Sequence, residues 1–297
     1  MSVAESSRLA VAELRAGGEV EGVFACTRKD RLITKSGTPY LAVELRDRTG
    51  AIPARAFRDA DFLAGQFERG DLVQVAGRVE RFRDELQVEL ASISRAQAGA
   101  ADPADFLPVA YRDLDELDGF LEHLAREVYD RHFRALLSAF LDDPAFREDL
   151  RRSPCTRSGH HAYLGGLLEH TVAVATLAQE ACALHPRLDS DLLLTAALLH
   201  DAGKVREFEL GAEIALSEAG ALVGHLTLGQ QLLAERAGRL GGFPADKLLA
   251  ITHCVLAHHG PESLPGRRFR SPEALALYRL NAVDAAVKGA LEHGLQP

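Results

Sequence analysis

The 297-residue chain is 47% hydrophobic and 26% charged, with a formal net charge of −9. That is the composition of an ordinary globular protein long enough for two domains. Its most apolar stretch, residues 192–199, is too short to cross a bilayer, and the start, MSVAESSRLAVAELRAGG, mixes acids into its apolar positions and has no secretory core. No membrane partner is therefore expected. Four cysteines, Cys26, Cys155, Cys182 and Cys254, occur without a CxxC pair. They suit reduced thiols of a cytoplasmic protein, filling core rather than holding metal.

The acidity is unevenly spread. Residues 1–100 hold 15 Lys+Arg against 15 Asp+Glu, whereas the remainder holds 19 against 28. A local basic face is thus open to the first part, while the second is not built to bind polyanions unaided.

The period of the sequence changes near residue 100. Before it, short runs rich in β-branched residues are separated by turns: EVEGVFACTRKDRLIT, LAVELRD, AIPARAF, DLVQVAGRVERF and ELQVELASIS. Alternation is clear at Leu41, Val43 and Leu45 and again at Leu86, Val88 and Leu90. Five strands, with one short helix over residues 59–67 before the fourth, predict an OB-type barrel over residues 1–100. A linker rich in Ala, Gly and Pro follows at 101–110. From Tyr111 the period is helical, which predicts an all-α domain over 111–297 and an α+β class for the chain. The last helix has Ser271 as N-cap and Pro272 at its first position.

Nine of the twelve histidines fall within residues 160–259, several of them on apolar helices. His170 follows GLLE, His200 ends TAALL, His225 sits in LVGHLTL, and His258-His259 closes CVLAHH. Any one of them reads most simply as a hydrogen-bonded core residue. Five near the ends or inner faces of different helices point instead to a divalent metal such as Mn, Fe, Co or Zn. The segment LLHDAGK is the sharpest signal. Adjacent helical residues point about 100° apart, so a His-Asp doublet works best at a helix end, which Gly203 is expected to supply.

The motifs GGLLEHT, LLHDAGK and AHHG, in that order, resemble those of HD-domain metal phosphohydrolases over residues 155–290. Preceded by a barrel and DFLP, the whole chain resembles the YhaM family of bacterial 3′–5′ exoribonucleases. The resemblance implies two divalent ions, manganese first among the candidates. One would be held by His170, His200, Asp201 and a last-helix residue, the other by His225, His258, His259 and the bridging Asp201. Lys204 would neutralise charge on a bound phosphate. Where the family pattern reads D-x-x-D, this chain has Asn281 and Asp284, an i, i+3 pair on one helix face. Either can approach the metal, with a slight preference for Asn281 as ligand. His160 and His161 also match the family's run, with either a substrate-path or a supporting role. His253 is expected to point elsewhere, and His123, His132, His185 and His293 to lie on the surface.

Two such ions activate water and clamp a scissile phosphate, so the expected reaction is phosphodiester hydrolysis of single-stranded RNA or DNA. The barrel's candidates for the strand are Arg28, Lys29, Arg31 and Lys35, with Arg78, Arg81, Phe82 and Arg83 on the fourth strand. Tyr40 and Phe57 are either stacking platforms or core, with core preferred. Two other readings compete: an HD phosphohydrolase of nucleotides or cyclic dinucleotides, and a nucleic-acid-binding protein whose HD centre is degenerate at Asn281. A homo-oligomer is left open.

Overall fold

The computed structural model describes residues 10–97 and 99–295; the first nine of the opening residues weighed above for a secretory core lie outside them. The chain divides into two compact units, one of residues 1–108 with 210–214, the other of residues 109–209 with 215–297.

The first unit is a closed barrel of five strands in the order β1-β2-β3-β5-β4. These are β1 (Glu19–Ile33), β2 (Pro39–Asp47), β3 (Gly50–Ala56), β4 (Leu72–Phe82) and β5 (Glu85–Arg95), with the short helix α1 (Ala60–Ala64) before β4. β1 is long because it serves two partners. Its first half pairs with β4, from Glu19 opposite Arg78 to Ala25 opposite Leu72. Its second half pairs with β2, after a bulge between Cys26 and Arg28 that turns the corner. A parallel pairing of β3 with β5 closes the barrel. The alternation read from the sequence sets the register. Leu41, Val43, Leu45, Ile52, Ala54, Ala56 and Val88 all point into the core, so Tyr40, Arg55 and Phe57 face outward. Gly77 sits at a second bulge, where a Cβ would lie 2.3 Å from the Glu89 carbonyl oxygen. The β4–β5 turn places Arg83 and Asp84 at φ 50° and 69°, the geometry two-residue hairpins prefer.

Residues 101–108, expected to be a linker, are bound into this unit. Phe106 and Leu107 are buried, and Phe106 packs with Val23, Ala25 and Ala212. These two apolar side chains anchor the segment, and Arg48 N–H donates to the Asp105 carbonyl at 2.9 Å.

The second unit holds α2 (Leu114–Arg126), α3 (Arg131–Leu141), α4 (Pro144–Arg152), α5 (Gly166–Leu184), α6 (Ser190–Leu199), α7 (Glu218–Arg239), α8 (Ala245–Ala257) and α9 (Pro272–His293). α2 and α3 are separated at Asp130, whose carboxylate accepts from the backbone of His132 and Phe133 and so caps α3. Ser271 caps α9, accepting from Ala274 N at 3.1 Å, with Pro272 following. Between α6 and α7 the chain also forms a short hairpin of β6 (Phe208–Leu210) and β7 (Ile214–Leu216) that the sequence reading did not include. Its sequence, FELGAEIAL, alternates about a Gly turn, a two-residue period hidden between two strong helical patterns. α5 and α6 are apolar all round and central; α5 packs against α2, α6 and α9, and α6 against α8 and α9.

Candidate metal centre and nucleic-acid face

Side chains of α5, α7 and the ends of α6 and α8 meet at Asp201. α6 stops at Leu199, His200 keeps helical angles, and Asp201 at φ −104° and ψ 13° leads into a 3-10 turn over Ala202–Arg206. Gly203 is not the helix end expected of it. Its role is proximity: a Cβ there would sit 2.1 Å from the His225 carbonyl oxygen and 2.5 Å from Gly229 N. A side chain would push α7 off the turn. Within α7, Gly224 (φ 69°) kinks the helix, and the next residue, His225, gives its backbone N–H to Glu207 Oε1 at 3.1 Å.

Four imidazoles are fixed in the same way. The Nδ1–H group of His200 donates to Ala197 O at 2.8 Å, and that of His258 to Val255 O at 2.6 Å. His225 Nδ1 donates to Glu207 Oε1 at 2.9 Å, and His170 Nδ1 to Asp284 Oδ2 at 2.6 Å. With Nδ1 protonated, each neutral ring turns an Nε2 lone pair toward the centre. Asp201 divides them. Its Oδ2 faces His200 Nε2 at 3.3 Å and His170 Nε2 at 3.5 Å, and its Oδ1 faces His258 Nε2 at 3.2 Å and His225 Nε2 at 3.7 Å. His259 joins the second group, its Nε2 2.9 Å from that of His225.

Lone pairs facing lone pairs repel unless a cation lies among them. His170 Nε2 and His200 Nε2 stand 3.2 Å apart with both Nδ1 protons already committed. Asp201 Oδ1 and His258 Nε2 are buried with no hydrogen-bond partner. Burial pushes His258 down to about 3 and lowers His170, which keeps both rings neutral and able to ligate. Burial alone would raise Asp201, but the Lys204 ammonium outweighs it and holds the carboxyl well below its usual range. Neutral imidazoles and an ionised carboxylate are the donor set of a borderline divalent metal. The residues fit such an ion.

Lys204 is not a solvated charge. It is buried, with Nζ 2.8 Å from Asp201 Oδ2 and 3.3 Å from Cys155 Sγ. Burial opposes its charge, and Asp201 more than restores it. Cys155, read from the sequence as core filler, instead lines the centre, its thiol pushed up to about 12 by burial. Asn281 is buried on α9 and donates through Nδ2 to His258 O at 3.2 Å, which leaves its amide oxygen as the free polar end. Asp284, one turn on, holds His170 by Nδ1, the nitrogen turned away from Asp201, and also meets His161 Nε2 at 3.0 Å. Glu207 and Tyr163 escaped the sequence reading. Glu207 lies in a stretch with no metal motif, and only the fold brings it under His225. His160 is half-buried beside His170, with ring centroids 5.4 Å apart, and burial lowers it to about 4. His253 accepts from Arg270 N at 3.0 Å, away from the centre. His123, His185 and His293 are exposed, while His132 is half-buried, edge-on to Phe243.

On the barrel, the candidate residues fare unequally. Lys29 is tied down, bonded to the Phe67 carbonyl and to Glu68 and only 13% exposed in its side chain. Arg28 pairs with Asp30 and Arg31 with Asp61 at the surface. Lys35 is exposed. Arg78 is exposed but lies in register between Glu19 and Glu89, an acidic strip in which Glu89 raises the pKa of Glu80. Arg81, Phe82 and Arg83 are exposed at the β4–β5 turn. The preference for Tyr40 and Phe57 as core is overturned: their rings stack at 5.4 Å and 27°, and Phe57 is 44% exposed. Arg55, unremarked in the sequence, lies 5.7 Å over Tyr40 and 5.6 Å over Phe82, and Arg83 is 5.2 Å over Phe82. Three aromatic rings and two guanidinium groups thus share one outer face.

Residues 167–286 match the family model of the HD domain and residues 18–95 that of an OB-fold nucleic acid binding domain. A protein named 3′–5′ exoribonuclease YhaM from Shouchella clausii is 30% identical over 281 residues, 92% of this chain and 85% of the relative. One of the same name from Halalkalibacterium halodurans is 28% identical, covering 82% of this chain and 75% of the relative. Among solved structures, a single-stranded DNA-binding protein from Thermus aquaticus aligns at 26% identity over 28% of this chain and 42% of its own, with a TM-score of 0.25. Among the described residues no helix is long and apolar enough to cross a membrane.

Proposed function

The chain belongs to the YhaM family of 3′–5′ exoribonucleases, and on that premise we propose that it hydrolyses single-stranded RNA stepwise from the 3′ end. The observation that carries the reading is the convergence of four Nε2 lone pairs on the two oxygens of one buried aspartate. Each oxygen faces its own group of histidines, which supports two ions bridged by Asp201. His170, His200 and the amide oxygen of Asn281 would serve one ion, and His225, His258 and His259 the other. Manganese suits the imidazole and carboxylate set, with iron, cobalt and zinc as alternatives.

Bound there, divalent ions supply water activation at neutral pH and a clamp for the scissile phosphate. The chain's own residues prepare for that chemistry. The backbone carbonyls of Ala197 and Val255 and the carboxylates of Asp284 and Glu207 fix which imidazole nitrogen points inward. Lys204 holds Asp201 in one orientation and contributes positive charge where phosphate oxygens would gather. Because its ammonium already neutralises Asp201, it acts chiefly by steadying the bridging carboxylate. The barrel supplies affinity for the strand through Tyr40, Phe57, Phe82, Arg55 and Arg83, with bases stacking on rings and phosphates meeting guanidinium groups.

A single-stranded RNA labelled at its 5′ end tests this directly. With Mn²⁺ the labelled strand should shorten in single-nucleotide steps while mononucleotides appear. Cleavage of free nucleotides or cyclic dinucleotides with the strand left intact would overturn the reading, as would internal cuts.

A further inference from the structure

A line of hydrogen bonds runs from a half-buried lysine to the ring of His170. Lys288 Nζ donates to Glu169 Oε1 at 2.9 Å, and the Tyr163 hydroxyl donates to Glu169 Oε2 at 2.8 Å. His161 Nδ1 lies 2.8 Å from that hydroxyl, and its Nε2 lies 3.0 Å from Asp284 Oδ2. The same carboxylate oxygen takes the Nδ1–H of His170 at 2.6 Å. Members come from the 160–165 loop, α5 and α9, and the links that reach Asp284 and Lys288 span more than a hundred positions.

The backbone is built to hold it. His161 adopts φ 51°, a left-handed conformation that a side chain adopts only under local compulsion. Its N–H is held by Glu292 Oε2 at 3.0 Å. Its carbonyl oxygen lies where a Cβ on Gly166 would come within 2.2 Å, so only glycine lets the loop close onto α5. Glu169 and His161 are buried, where apolar residues of similar volume would stabilise the fold at least as well as charged ones. Neither packing nor contact with the centre's donor atoms explains Glu169 and Tyr163.

We propose that His161, Tyr163 and Glu169, anchored by Lys288, are positioning residues that set the affinity of the ion held by His170 and His200. They act through Asp284. With His161 in place, Asp284 Oδ2 stays directed at His170 Nδ1, which keeps the proton on that nitrogen and the lone pair on Nε2. Without it the carboxylate can rotate and the ring can turn with it. Partners one shell removed from a metal commonly change its affinity by about 10–100-fold.

The inference rests on a divalent ion binding at His170, and the test separates the two claims. Mn²⁺ is titrated calorimetrically into the metal-stripped full chain as wild type, Tyr163→Phe, Asp284→Asn and the double variant. Tyr163→Phe should weaken one binding step about 10-fold and leave the KM for RNA at saturating metal unchanged. The same substitution should add almost nothing once Asp284→Asn has cut the line, because coupled residues are non-additive. Equal affinity of Tyr163→Phe and a wild type that does bind Mn²⁺ would overturn the relay alone. So would strict additivity in the double variant, the mark of a merely structural effect. A wild type that binds no Mn²⁺ would overturn the underlying metal reading as well.

Discussion

The metal centre and the aromatic face of the barrel are built on opposite terms. At the centre most of the working groups are buried, with His225 half-buried and His259 exposed; four of the imidazoles are each held by a second partner, and two polar atoms are left without a protein partner. On the barrel the working groups are exposed or half-buried, touch one another, and are held mainly by strand register. A buried set is all or none, because removing one charge strands another in a low-dielectric interior. An exposed platform is graded, because each ring or guanidinium adds its own share and solvent covers the loss.

The largest break in that contrast should come at Asp201. Asp201→Asn is expected to reduce hydrolysis of single-stranded RNA to background and to empty the centre, read by metal analysis of the purified protein. Asp201→Ala should do the same and also destabilise the fold by about 3–5 kcal/mol, because Lys204 would be left buried and unpaired. Its denaturation midpoint therefore falls, whereas that of Asp201→Asn falls less. Near-normal degradation by either variant would refute the centre.

Metal removal comes next. If the lone-pair contacts are relieved by bound ions, adding Mn²⁺ to the stripped protein at about 100 times its Kd should stabilise it by roughly 2.7 kcal/mol. Thermal melts with and without metal report this, and a melting temperature indifferent to Mn²⁺ would mean that the histidines are merely packed.

Position 281 sharpens the comparison within the centre. Asn281→Asp should tighten Mn²⁺ binding, since an anionic ligand attracts a divalent cation more than an amide does. Asp284→Ala should weaken binding through a loosened His170 without abolishing it. Complete loss of one ion in Asp284→Ala, with Asn281→Asp unchanged, would make Asp284 the ligand.

The smallest effects belong to the barrel. Phe82→Ala should cost about 1–3 kcal/mol of affinity for a single strand. Arg55→Ala should weaken binding and reduce the slope of log affinity against log salt by about 0.7, the value for one phosphate contact on a single strand. Both should leave the kcat on a short oligonucleotide unchanged. A loss of kcat as large as that at Asp201 would mean that this face is part of the catalytic apparatus.

Much of this was legible in the residues themselves. Period-two runs around Leu41 to Leu45 announced the barrel, and the order of GGLLEHT, LLHDAGK and AHHG announced the histidine centre, because each signal is complete within one short stretch of chain. The alternation even contained the outward direction of Tyr40, Arg55 and Phe57, since their neighbours at 41, 54 and 56 are buried. What the chain could not disclose by itself depends on distance along it. Glu207 reaches His225 across 18 positions and Asp284 reaches His170 across 114. Whether Lys204 is solvated or buried on Asp201, whether Gly203 ends a helix or admits one, and which α9 residue orients His170 are questions of who stands opposite. Only packing answers them, because hydrogen bonds and desolvation depend on neighbours in space, whereas periodicity depends on neighbours in sequence.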